Sequence, residues 1–271
     1  MTWKIVHIGL LLVLQSTYAD THTVVGTTAH GSGLKESVAF AQPDERRPDF
    51  RSINNSQHKK EAFFKYLLPQ VRAANQAIYI ERQLLLGFLD QVNRLGHLDS
   101  QQQRQLKNIA KKYRHALPST ADPADLAWPA LLARVDAIPA SLVLAQAANE
   151  SAWGTSRFAV DANNFFGIWC YSPGCGLKPS QRNQSATHEV KRYTSVSDGV
   201  SSYMLNLNRH RAYALLRQLR QDQRDLRDPP KGSQLAEGLL AYSSRGIDYV
   251  RDIQRMIHAN NLENFTRPRS V

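Results

Sequence analysis

The chain has 271 residues, of which 42% are hydrophobic and 21% charged, so a compact protein with one catalytic domain and room for a helical extension is expected. Its formal charge of +11 and sequence pI near 9.8 point to anionic partners: nucleic acid, acidic lipid or a negatively charged wall polymer.

Residues 1–19 follow the three-part pattern of a secretory signal. Met1 to Lys4 is followed by the apolar stretch Ile5 to Leu14 and then by Gln15 to Ala19, with Thr17 and Ala19 before the cut. The apolar stretch is short of the roughly 20 residues a bilayer span needs. Cleavage with no stable membrane span afterwards is expected, an uncleaved anchor being the alternative. Export is expected to place the protein in a periplasm or cell envelope, and argues against a nucleic-acid partner.

Residues 20–57 are rich in Thr, Ser, Gly, Asn and Arg without periodicity, which predicts a flexible linker. Residues 58–118 carry a helical pattern. Phe64, Val71, Ile78, Leu85 and Val92 recur every seven residues, with Pro69 predicted to divide or kink the element and Gly96 to end it. Asp99 with Gln102 reads as a capping box opening a second helix through Leu106, Ile109, Tyr113 and Leu117. The resulting helical hairpin is expected to pack against the domain that follows, residues 119–265.

In that domain Glu150 ends an apolar run. From Ala137 to Trp153 no other side chain is charged, and Pro139 suits the first turn of the helix. Desolvation and the negative helix end both favour a neutral, protonated carboxyl, as a general acid requires. The competing reading is a structural glutamate paired with Arg157 or capped by a nearby amide.

Cys170 and Cys175 are the two cysteines of the chain, separated by a Pro-Gly turn. In an exported protein they predict a disulfide stapling a small loop, with a zinc site as the weaker rival. His188 to Tyr193 reads as a short strand, Asp198 as the N-cap of a helix through Tyr203, Leu207 and Leu216, with a break near Asn208 as the alternative. Arg211, Arg217, Arg220, Arg224, Arg227 and Lys231 then follow closely, as either a solvated basic face or a substrate-holding surface. Two helices, Gly232 to Ala241 and Tyr249 to Ala259, complete a predominantly α chain with a small β or irregular lobe.

Gln146 to Gly154 followed by Asn164-Phe-Phe-Gly-Ile168 resembles the core of the bacterial glucosaminidases, family 73 of the glycoside hydrolases. The Trp-Cys-x4-Cys-Gly loop, Ala145 to Ala159 and Tyr203 to Arg217 are similar to the Bax-like members in particular, and the resemblance extends roughly from Lys59 to Asn260. It implies a mainly α (α+β), lysozyme-like fold that cuts the β-1,4 bond after N-acetylglucosamine in peptidoglycan or a related glycan, with no metal or cofactor. Its acid falls on Glu150. Its second carboxylate, in a β lobe before an aromatic strand motif, falls on Glu189, for which a salt bridge with Lys191 or a neighbouring arginine is the other reading. Sugar-binding aromatics implied or suggested by type are Trp153, Phe166, Trp169, Tyr193, Tyr242 and Tyr249, some of them serving as core.

Two other activities suit the same fold: a lytic transglycosylase and a non-catalytic wall-binding protein. A wall amidase would need a zinc site or a free cysteine nucleophile, and the nine histidines contain no HExxH pair.

Overall fold

The structure, a computed structural model, describes residues 46–118, 123–179, 187–226 and 229–266. The expected signal segment lies outside the described residues, as does the linker before residue 46. Among the described residues no helix is long and apolar enough to cross a membrane.

Helix α1 (Ser56–Leu95) opens on Asn55, whose side chain accepts from the His58 amide at 2.9 Å, and closes on Gly96 in the left-handed conformation. The heptad positions Phe64, Val71, Ile78, Leu85 and Val92 are all buried. The helix runs on through Pro69 instead of dividing there. An internal proline costs about 3 kcal/mol, while each buried Leu or Val returns about 1.5–3 kcal/mol, and Leu67, Leu68 and Val71 flank the site on the core side. Packing outweighs the lost hydrogen bond.

Helix α2 (Ser100–Lys112) has the capping box: Asp99 accepts from the Gln102 amide, and the Gln102 side chain accepts from the Asp99 amide. It stops at Lys112, short of Leu117, because Arg114 takes a positive φ of 52° and breaks the repeat. Tyr113, fully buried, donates from its hydroxyl to Glu81 Oε2 at 2.7 Å and ties the hairpin together.

After the short α3 (Trp128–Leu132), helix α4 (Ala140–Glu150) crosses the centre of the molecule, with Pro139 at its cap position rather than inside the first turn. Leu142, Val143, Leu144, Ala145 and Ala147 have no exposed surface. A helix apolar all round is covered all round. It packs on α1, on α8 (Gly232–Leu235), on α9 (Ile247–Ala259) and on a final 3-10 turn, Leu262–Phe265. α1 also packs on α6 (Val196–Arg209), so the hairpin and the later helices share one core.

Residues 46–53, within the stretch read as linker, lie against the domain. Phe50 is buried with its ring 5.6 Å from Phe63. Arg47 donates to the carbonyls of Ala159 and Val160 at the end of α5 (Arg157–Ala162), and Arg51 donates to Thr155.

The small lobe is a three-stranded antiparallel sheet in the order β1 (Trp169–Cys170), β3 (Glu189–Lys191), β2 (Gly176–Leu177), pairing Cys170 with Glu189 and Gly176 with Lys191. Cys170 and Cys175 form the expected disulfide, with 6.2 Å between their Cα atoms. Helix α6 corrects one expectation: its N-cap is Ser195, which accepts from the Asp198 amide at 3.1 Å. Asp198 stands three residues further in, where its charge meets the positive helix end. A 3-10 turn at Arg211–Tyr213 leads into α7 (Ala214–Asp225).

Candidate active site

Glu150 is the last residue of α4, half-buried, with the chain leaving the helix at once through Ser151. The following turn is unusual: Ala152, Trp153 and Gly154 are consecutive residues at positive φ, 48°, 59° and 77°. Such a run is costly for residues bearing a Cβ and persists where surrounding contacts hold it. The Trp153 amide donates to Ala148 O at 2.9 Å, and the Trp153 ring sits edge-on to Phe63 and Phe64 of α1, 5.5 Å from each. A Cβ on Gly154 would lie 2.4 Å from Phe50 Cδ2. The strap formed by residues 46–53 and α1 together fix the turn that presents Glu150.

Behind the carboxylate lies a directed hydrogen-bond chain. Tyr203 of α6 donates to Gln146 Oε1, and Gln146 Nε2 donates to the Tyr249 hydroxyl at 2.9 Å. Tyr249 in turn lies close enough to Glu150 for the carboxylate to act on its hydroxyl. Burial first, and then the Glu150 charge, pushes the Tyr249 phenol above its ordinary pKa. Tyr203 and Tyr242 are raised for the same leading reason, with neighbouring tyrosines and Glu150 adding. Three phenols beside one carboxylate therefore stay neutral donors. Asn149 Nδ2 donates to Glu150 Oε1 at 3.1 Å, and Arg157, the expected ion-pair partner, donates from Nη2 to Lys178 O.

Sequence reading noted Gln146 one turn before Glu150 without giving it a task. A fully buried amide in an otherwise apolar helix was the available signal, since such a group needs partners. Its partners come from α6 and α9, too far along the chain for spacing to reveal.

The aromatic candidates separate by exposure. Phe166, Tyr193 and Tyr249 are buried; Phe166 stacks on Tyr203 with ring centres 3.9 Å apart, and Tyr193 donates to Ser202 Oγ. Tyr242 is half-buried, stacked on Tyr249, and donates to Phe166 O at 2.7 Å. Trp153 is half-buried against α1. Trp169 differs, at 53% exposed, with its ring stacked on His188 at 4.0 Å. A flat apolar face braced in this way suits contact with the C–H face of a sugar.

Glu189 is 4% exposed. Its Oε1 accepts from the Gly174 amide at 3.2 Å and its Oε2 from the Gly176 amide at 2.8 Å, so both oxygens hold the disulfide loop. Donor atoms of Cys170, Cys175 and Glu189 lie within 4.8 Å of one another. The sulfurs are bonded to each other and offer no thiolate, which disfavours the zinc alternative.

Residues 127–262 match the family described as mannosyl-glycoprotein endo-beta-N-acetylglucosaminidase. The chain is 32% identical over 220 residues to Protein bax of Escherichia coli (strain K12), covering 79% of this chain and 76% of that protein. No solved structure matches.

Proposed function

The chain belongs to the glucosaminidase family, a glycan-hydrolase type of enzyme, and from that premise we propose an endo-β-N-acetylglucosaminidase acting on peptidoglycan or a related glycan, with Glu150 as general acid. The observation that carries the assignment is the placement of Glu150: one half-buried carboxyl at the end of a buried helix, beside three neutral tyrosines. Protonated Glu150 gives its proton to the glycosidic oxygen as the C1–O bond breaks and positive charge spreads over C1 and the ring oxygen. Water then adds to C1, and the proton it sheds returns to the Glu150 carboxylate. Trp169 offers a platform for a sugar ring at the rim, and Tyr242 with Tyr249 forms the wall behind the acid.

The engagement of both Glu189 oxygens by loop amides favours a route with one protein carboxylate. In that route the substrate's N-acetyl oxygen supports C1 until water arrives. The same observation keeps a lytic transglycosylase as the second reading, in which a sugar hydroxyl takes the place of water. The amino-terminal signal pattern supports action outside the cytoplasm.

Mass spectrometry of products from defined peptidoglycan tests the proposal. A reducing N-acetylglucosamine end, one water heavier than the anhydro form, is expected from the parent. Anhydro ends would make it a transglycosylase, and undiminished digestion by Glu150→Gln would remove Glu150 from the chemistry.

A further inference from the structure

The basic run after Arg209 does not form a solvated face throughout. Arg217 and Arg220 of α7 are buried, at 6% and 1% exposed. With Arg82 of α1 and Arg224 of α7 they line a cavity of about 200 Å³, where Asp136 and Asp225 are the acidic lining residues among those described. One wall is apolar, formed by Pro129, Leu132 and Ala133.

The charges in this cavity do not balance. Asp136, itself buried, is gripped through both oxygens by Arg224 at 2.5 and 2.6 Å, with Arg220 at 3.5 Å and Arg82 at 3.8 Å from Oδ2. One carboxylate thus serves three guanidinium groups. Asp225 is exposed. The remaining donors go mainly to backbone: Arg82 to the carbonyls of Leu132 and Val135, Arg217 to those of Leu207 and His210, Arg220 to those of Ala133, Asp136 and Ala137 and to Asn208 Oδ1.

Carbonyl and amide oxygens satisfy hydrogen bonds without supplying negative charge, so the guanidinium groups are ordered while the excess of positive charge stays. Buried charge without a counter-charge is unfavourable. Burial lowers the pKa of Arg217 and of Arg220 to about 10, with Arg134 adding for Arg217 and, against the opposing pull of Asp136, Arg224, Arg82 and Arg217 adding for Arg220. An anion entering the cavity would relieve this repulsion, and Arg224, 40% exposed, forms the side open to solvent.

We propose that the cavity between α1, the segment leading into α4, and α7 is a binding site for an organic oxyanion, a carboxylate or phosphate group carried on a short carbon chain. The guanidinium groups take the oxyanion and the Pro129–Leu132 wall takes the chain. Asp136 precedes α4 and Glu150 ends it, and 11 helical residues span about 16 Å, so this site is distinct from the candidate active site.

Titration calorimetry at constant ionic strength, with butyrate in one arm and inorganic phosphate in the other, provides the test. Saturable binding in either arm is expected, and the tighter arm identifies the group. Gln221 also lines the cavity and is not among the partners of Asp136, so Gln221→Glu introduces a carboxylate into the cavity while removing none of those pairs. It is expected to weaken binding by about tenfold or more. Arg224→Gln should also weaken it, but Gln221→Glu is the deciding variant because Arg224 also holds Asp136. No saturable binding in either arm, or equal affinity in parent and Gln221→Glu, would overturn the proposal.

Discussion

The Tyr249 hydroxyl stands between Gln146 and Glu150, accepting from the Gln146 amide at 2.9 Å and lying within reach of the carboxylate's charge. Tyr249→Phe removes the hydroxyl that backs the Glu150 side chain, so kcat is expected to fall by about tenfold with KM little changed. The buried Gln146 Nε2 also loses its partner, at about 1–3 kcal/mol of stability. A variant that loses stability with an unchanged kcat would reduce Tyr249 to a packing role.

Glu189→Gln separates two uses of one carboxylate. Glutamine has one acceptor oxygen for two loop amides, so the variant is expected to cost about 1–3 kcal/mol, read from denaturant unfolding. Products should be unchanged, with a far smaller loss of rate than the 10²–10⁴-fold, to order of magnitude, expected for Glu150→Gln. A rate loss matching that of Glu150→Gln, with unfolding undisturbed, would make Glu189 the second catalytic group.

Gly154→Ala should lower stability by about 2–4 kcal/mol, combining a residue with a Cβ at φ 77° and a contact with Phe50. Phe50→Leu made in the Gly154→Ala background should recover part of the loss, giving a coupling of about 0.5 kcal/mol or more in a double-mutant cycle. Strict additivity of the two changes would mean that Phe50 does not hold this turn.

Alkaline unfolding follows from the tyrosines. Tyr113, Tyr193, Tyr203, Tyr213, Tyr242 and Tyr249 all have pKa values raised chiefly by burial. Above about pH 10 the unfolded chain releases these protons while the folded chain keeps them, so the stability they contribute is present below pH 10 and is lost as pH rises. Arg82, Arg209, Arg217 and Arg220, all lowered chiefly by burial, act in the opposite sense, but four such groups do not offset six. The melting temperature should therefore fall above pH 10, with tyrosinate absorbance rising in step with unfolding. Full tyrosinate absorbance in a still-folded protein would contradict the burial of this cluster.

Local signals were the legible ones. The Asp99–Gln102 box, the Gly96 stop and the cysteine pair each depend on residues within a few positions, and each stands where its spacing placed it. Ser195 and Asp198 show the limit of such signals. Both can cap, three residues apart, and the first takes the role because its own amide geometry is extended while Asp198 is already helical. The burial of Phe166 and Tyr193 and the exposure of Trp169 could not be read from residue type, because they depend on what α6 and the sheet cover. Nor could the strap: Phe50 is one apolar residue in a polar stretch, and its partners are on α1.

The match to the glucosaminidase family begins at residue 127, yet α1 ends at Leu95 and lies beneath α4 and α6. Expressing residues 127–262 alone would strip the cover from an apolar surface that includes Trp153 and Phe165, both packed on Phe63 of α1, and such a fragment should be insoluble or bound by chaperones. A domain boundary drawn from sequence similarity would therefore cut through the hydrophobic core. The working unit for recombinant production or transplantation starts upstream of Arg47.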